Sequence, residues 1–121
     1  MNGPVIELES VSCLLSGRTV LDAVDLKVRE GDLYAVIGPN GGGKTTLLKV
    51  ILGLLPASSG TVRVFGTDPR KARSRIGYVP QYRTFDFRYP LTVEEMVLSG
   101  RLGLVPGLVR RFSEKDRKAA R

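Results

Sequence analysis

Short apolar segments with two different periods run along the chain, and the periods predict its elements. "VIELESVS" sets Ile6, Leu8 and Val11 loosely on one side, as a half-buried strand does. "SGR", Ser16 to Arg18, is a turn. "VLDAVDLKV" then resumes the alternation through Val24, Leu26 and Val28, so the two segments predict an antiparallel pair. After the turn "EGD" (Glu30 to Asp32) comes "LYAVI", Leu33 to Ile37, a continuous apolar run typical of strands buried on both faces. "KTTLLKVILGLL" is apolar almost all round and predicts a helix enclosed by other elements, stopped by Pro56 and "ASSG". "GTVRVFG" alternates again, and "RIGYVPQ" predicts a short strand closed by Pro80. "PLTVEEMVLSGR" opens a helix with a capping box between Thr92 and Glu95. "SEKDRKAAR" starts in the same way at Ser113 and Asp116, and the end of the chain cuts that helix off.

Composition adds limits rather than elements. With 121 residues, 42% hydrophobic and 26% charged, the chain reads as one soluble globular domain. No run approaches the roughly eighteen apolar residues of a membrane span. "MNGPVIELES" has neither a basic n-region nor an apolar h-region, so nothing suggests export. Cys13 is the one cysteine; it fits a reducing compartment and reads as a small buried hydrophobe rather than a catalyst. Histidine is absent, which excludes chemistry built on imidazole.

The net charge is +7 with a pI near 10.0, an invitation to read a nucleic-acid or anionic-membrane partner. The basic residues are dispersed, with local densities at Asp68 to Arg75 and from Arg101 onward, where seven Lys/Arg face two acids. No aromatics are interleaved with them as base-stacking platforms. A solvated face, or one approaching anionic lipid headgroups, fits better than a nucleic-acid surface.

Candidate chemistry is concentrated in "GPNGGGKT", Gly38 to Thr45, which satisfies G-x-x-x-x-G-K-[ST]. A predicted buried strand precedes it and a predicted helix follows, the context the motif requires. Glycines let successive amides converge on phosphate oxygens where any Cβ would obstruct them, and the helix N-terminus adds free amides and partial positive charge. Lys44 supplies a point charge to the outer phosphates, Thr45 can ligate Mg²⁺, and Thr46 can reach an inner phosphate. A Gly-rich turn with no ligand is the bland alternative. Gly38, Pro39, Asn40, Gly41, Gly42, Gly43, Lys44, Thr45 and Thr46 are thus the candidate ATP and Mg²⁺ site.

"GPNGGGKTTLLKVILGLLPASSGTVRVFG" resembles the Walker A segment and following strand of ATP-binding-cassette (ABC) ATPases, and "VSCLLSGRTVLDAVDLKV" is similar to their N-terminal antiparallel strands. "IGYVPQ", Ile76 to Gln81, resembles their Q-loop. The resemblance implies that Gln81 touches Mg²⁺ and the attacking water and senses a membrane partner; taken alone, Gln81 is an ordinary polar turn residue. "VPQYRTFDFRYPLTVEEMVLSGR" looks like the branch serving importers of zinc, manganese or iron, with Asp86, Phe87, Arg88, Tyr89 and Pro90 as its acidic-aromatic run. In the family this region receives a coupling helix from the permease. Phe85, Phe87 and Tyr89 also suit simple packing under the next helix.

The implied fold is an α/β P-loop nucleotide-triphosphatase: an antiparallel β subdomain plus parallel core strands around the Walker A helix. Residues 1–81 would form its ATP-binding core and 82–121 the start of a truncated helical subdomain. The implied partners are a membrane permease on Gln81–Pro90, a second ATPase subunit and, indirectly, a substrate-binding protein, on the cytoplasmic face of the cell membrane and without nucleic acid.

Two departures from the family pattern matter. The aromatic expected to stack on adenine is replaced by Leu15, which offers dispersion contact but no π-face; Val20 adds apolar contact. An "LSGGQ"-like signature, a Walker B strand ending in Asp-Glu and a switch histidine are missing. "VLSGR", Val97 to Arg101, comes too soon after Gln81 and lacks the second glycine and the glutamine. The resemblance therefore covers the N-terminal half of a cassette. Three readings of function follow: the ATP-binding subunit of a metal importer, a nucleotide-binding module without catalytic duty, and a soluble cassette protein acting on nucleic acid or ribosomes. The run at Asp86 to Pro90 favours the first over the third. In the resembled fold the Walker B strand pairs beside Leu33–Ile37, so its absence leaves a bare apolar edge there.

Overall fold

The computed structural model describes residues 3–81, 90, 92–100 and 113–120. They fall into two units, Met1–Ile76 and Gly77–Arg121.

In the first unit, β1 (Ile6–Leu15), β2 (Arg18–Val28) and β3 (Ser59–Val64) form one antiparallel sheet in the order β2-β1-β3. Ser16 and Gly17 close the β1–β2 hairpin with φ of 49° and 76°. Positive φ at both central residues is the turn geometry that matches strand twist. Both strands bulge midway, at Ser10 (φ 48°) and Ala23 (φ 46°). Side chains satisfy the amides released there: Ser10 N–H donates to Asp25 Oδ1 at 2.7 Å and Ala23 N–H to Ser12 Oγ at 2.9 Å. Gly60 of β3 runs directly under the first bulge at φ +84°, where a Cβ would meet the Ser10 carbonyl and lie 2.6 Å from Glu9 O.

Helix α1 (Lys44–Ile51) packs on the inner sheet face. Leu47, Val50 and Ile51, spaced i, i+3 and i+4, are buried with Leu8, Val11, Cys13, Leu21 and Val64. Burying each large side chain is worth about 1.5–3 kcal/mol, so this stripe holds the helix. The expectation of a helix enclosed all round is corrected: Leu48 and Leu54 are 43% and 52% exposed, because only one face has sheet beneath it. Cys13 is 1% exposed, a free thiol packed as a small hydrophobe.

"DPRKARSR", legible in sequence only as a basic cluster, is a capped turn. The Asp68 carboxylate accepts from Arg70 N–H at 2.8 Å ahead of Pro69, opening the one-turn helix α2 (Pro69–Ala72). The Arg70 guanidinium grips both Asp68 oxygens at 3.0 and 2.9 Å and, with the backbone bond, holds the carboxyl down at a pKa of about 2.

The expected parallel core strands do not form among the described residues. Leu33–Ile37 and Ile76–Pro80 carry no ladder pairing, and Leu33, Ile37 and Val79 are 99%, 91% and 92% exposed. A strand apolar on both faces needs neighbours along both edges and cover above and below. No described element flanks either run.

In the second unit, α3 (Val93–Ser99) starts with the predicted capping box. Glu95 N–H donates to Thr92 Oγ1 at 3.2 Å and Thr92 N–H to Glu95 Oε2 at 2.8 Å. At α4 (Glu114–Ala120), Asp116 N–H donates to Ser113 Oγ at 3.2 Å and Ser113 N–H to Asp116 Oδ2 at 2.9 Å. Both starts were readable because capping is local. Val97 to Ser99 of "VLSGR" lie in α3; Arg101 lies outside the described residues.

The Gly60 contact makes a graded test. Gly60→Ala should destabilise the fold by about 2 kcal/mol or more, since a left-handed backbone and a backbone clash add. Gly17→Ala, also at positive φ but with open space around its Cβ, should cost about 1 kcal/mol. Urea unfolding of the two variants checks the order.

Candidate functional site

The segment from Gly38 to Gly42 is exposed and bends back on itself through Gly42 N–H, which donates to Pro39 O at 3.1 Å. Gly41 and Gly43 have φ of +81° and +91°, a region glycine enters without the cost a Cβ imposes. Space is also short at Gly42, where the neighbour would have to give slightly, and at Gly43, where a Cβ does not fit. A Cβ on Gly42 would lie 3.0 Å from Pro39 O, and one on Gly43 would lie 2.9 Å from Val20 O.

Gly43 is the N-cap of α1 and brings no side chain to the first turn, which contains no acidic residue. The first amides of a helix have no intrahelical acceptor, so this end presents unpaired donors and the positive end of the helix dipole. Lys44 folds back over the loop, its Nζ donating to Gly38 O at 2.6 Å and Pro39 O at 2.7 Å. Thr45 is exposed and Thr46 half-buried on the same turn. An open cradle of amides, a cation spanning it and no acidic residue in the first helical turn fit a phosphate chain. A cavity of about 370 Å³ elsewhere in the unit, lined by Val50, Gly53, Leu55, Val62 and Arg70, lies at the other end of α1.

The structure brings Val20 to the loop: its Cγ1 and Leu21 Cδ2 lie 3.3 and 3.2 Å from the Cβ position of Gly43. Leu15, at the end of the same hairpin, is 36% exposed and pairs with Arg18. Gln81 is an exposed residue in the second unit. Of the proposed permease surface Gln81–Pro90, residues 82–89 lie outside the described residues; Pro90 is exposed.

Arg73 is a contributor that sequence reasoning missed. Its guanidinium caps the far end of α1, with Nε donating to Leu52 O at 3.2 Å and Nη2 to Gly53 O. A contact across twenty residues leaves no local spacing to read. The Asp68-Pro69 cap, by contrast, has a recognisable signature.

Residues 21–121 match the family model described as ABC transporter. The manganese transport system ATP-binding protein MntB of Bacillus subtilis is 42% identical over 96% of this chain, which covers 46% of that protein. The zinc transport system ATP-binding protein TroB of Treponema pallidum is 42% identical over 96% of this chain and 43% of its own length. The chain thus spans a little under half the length of these relatives. A solved dimeric ATP-binding cassette in a post-hydrolysis state, bound to ADP and Pi, matches with TM-score 0.72 and 26% identity, covering 95% of this chain and 53% of that one.

The geometry at Gly43 yields an expectation for the unliganded chain. Gly43→Ala adds a clash with Val20 O to the positive-φ penalty and should cost about 2–3 kcal/mol. Gly41→Ala meets nothing within 4 Å and should cost about 1 kcal/mol. Guanidinium unfolding midpoints of the pair measure the difference.

Proposed function

The chain belongs to the ABC transporter family, and from that membership we propose that it is the nucleotide-binding portion of an ATP-binding subunit that energises import of divalent metal ions. The observation carrying this reading is the phosphate cradle at the start of α1, with Gly43 wedged on Val20 and Lys44 laid across the loop. The manganese and zinc transport relatives at 42% identity support the metal branch.

In this reading the backbone amides from Gly38 through Gly43 and of the first helical turn surround the phosphates. Lys44 exchanges its two carbonyl acceptors for phosphate oxygens, a short movement of a flexible stem. Thr45 offers its hydroxyl to Mg²⁺, Thr46 reaches an inner phosphate, and Leu15 and Val20 give apolar contact to the base. Gln81 orients water and reports nucleotide state to the permease. When bound, Mg²⁺ and ATP supply the phosphoryl chemistry itself. Among the described residues no group of three His, Cys, Asp or Glu could hold a metal ion. Thr45 and Gln81 would therefore bind Mg²⁺ only together with the nucleotide phosphates.

We assign residues 1–81 to the nucleotide-binding core and 82–121 to the start of the helical subdomain. The partners in this reading are a permease seated on Gln81–Pro90, a second copy of the ATPase subunit and, through the permease, a substrate-binding protein. The subunit works at the cytoplasmic face of the cell membrane; among the described residues no helix is long and apolar enough to cross one.

Thermal unfolding tests the nucleotide site. Mg²⁺-ATP at a hundredfold over its Kd should stabilise the wild-type chain by about 2.7 kcal/mol. Lys44→Ala should lose most of that gain, and Mg²⁺ alone should give none. Equal shifts for wild type and Lys44→Ala would overturn the assignment.

Cleavage is separable from binding. It needs a positioned water, a metal-organising carboxylate and charge stabilisation opposite the loop. The family supplies these from a Walker B glutamate and a partner's signature loop, sequences the 121 residues do not contain. The chain on its own should release no phosphate above the Lys44→Ala background in a steady-state assay. Lys44-dependent turnover would show that the catalytic parts were misassigned.

A further inference from the structure

Asparagine occurs twice in the chain, at Asn2 and Asn40, and glycine follows both. Asn40 stands in the Pro39–Gly42 turn of the phosphate loop. It is exposed, and among the described residues its side chain makes no hydrogen bond. The turn is closed by the Gly42 N–H, which donates to Pro39 O at 3.1 Å. Gly41 takes its third position at φ +81°, the conformation a type II turn reserves for glycine. The Gly41 N–H donates to no acceptor among the described residues, and a Cβ on Gly41 would meet nothing within 4 Å.

An unhindered amide nitrogen thus follows a free carboxamide on an exposed turn, the arrangement that intramolecular attack requires. The Gly41 nitrogen adds to the Asn40 side-chain carbonyl carbon. Its proton and the side-chain amino group leave together as ammonia, and a cyclic imide joins the two residues. Water then opens the ring. Breaking the imide bond to the former side-chain carbonyl leaves aspartate; breaking the bond to the main-chain carbonyl leaves isoaspartate, whose backbone runs through the side chain. Either way an amide becomes a carboxylate, and water is the only reactant consumed.

The surroundings favour that carboxylate. Lys44 Nζ lies 2.7 Å from Pro39 O, the oxygen of the peptide group that leads into Asn40, and 2.6 Å from Gly38 O. The first turn of α1 holds no acidic residue and presents the positive end of its dipole. A carboxylate at position 40 draws on the same cation and amides that a phosphate needs, and isoaspartate also lengthens the loop.

Resting on the nucleotide reading above, we propose that Asn40 is a self-modification site that shuts the phosphate loop. The empty loop converts Asn40 to aspartate or isoaspartate, and bound Mg²⁺-ATP prevents this by fixing the Gly41 amide against phosphate. Asn2 carries the same dipeptide outside the loop sequence and serves as the internal reference.

The test follows the purified chain in mildly alkaline buffer by peptide mass spectrometry. Cleavage after Arg and Lys puts Asn40 in the peptide Glu30–Lys44, where it is the only carboxamide, and Asn2 in Met1–Arg18. Mg²⁺-ATP at a hundredfold over its Kd leaves about one molecule in a hundred empty, so it should slow conversion at Asn40 about a hundredfold and leave Asn2 unchanged. Affinity for Mg²⁺-ATP should fall as conversion proceeds. Fresh Asn40→Asp should bind it at least about tenfold more weakly than fresh wild type. Asn40→Gln, whose longer side chain closes the ring poorly, should keep its initial affinity throughout. An Asn40 that stays intact in the empty chain while Asn2 converts in the same sample overturns the proposal. So does conversion that saturating Mg²⁺-ATP does not slow, or an Asn40→Asp chain that binds like wild type. Failure of fresh wild type to bind Mg²⁺-ATP would instead remove the nucleotide reading and the guarded switch with it, an outcome distinct from tight binding with unguarded conversion.

Discussion

Burial of one helical stripe against one sheet face fixes where the phosphate loop lies. Leu47, Val50 and Ile51 carry α1 onto the side of the sheet that presents Leu8, Val11, Cys13, Leu21 and Val64. Dispersion and hydrophobic contact act without direction, but the stripe begins within one turn of Lys44. Seating it therefore also sets the position of the helix N-terminus. That position brings Gly43 against Val20 O so closely that no side chain fits between them. At the other end, Arg73 caps the carbonyls of Leu52 and Gly53, where the helix dipole favours a cation.

The sheet itself is shaped to receive the helix. Bulges at Ser10 and Ala23 increase local twist, and Asp25 and Ser12 satisfy the amides they release. Gly60 lets β3 pass under the first bulge without a clash. On the same sheet, Val20 and Leu21 of β2 lie against Gly43 at the start of α1.

The apolar segment Leu33–Ile37 shows what a single-sided core cannot supply. It leads into the loop, yet Leu33 and Ile37 are almost fully exposed and unpaired among the described residues. A continuous apolar run has no polar face to give to water, so burial on both sides is its stable condition. Exposed, it is a pairing template. The chain spans 46% and 43% of its manganese and zinc transport relatives.

Sequence by itself determined the features that depend on a few adjacent residues. The hairpin turn at Ser16 and Gly17, the capping residues Thr92 and Ser113, the strand β3 and the loop Gly38 to Thr46 all follow from spacing and backbone preference, which act over one turn or less. Family membership was legible for the same reason, since Walker A and Q-loop motifs are contiguous. Tertiary structure decided the rest. It left α1 half-exposed, because cover depends on what lies opposite, and it kept "LYAVI" and "RIGYVPQ" out of any sheet, because a strand exists only by pairing. It also brought Arg73 to the end of α1 and Val20 to Gly43 across intervals of about twenty residues, contacts that arise only once the helical stripe has found the sheet.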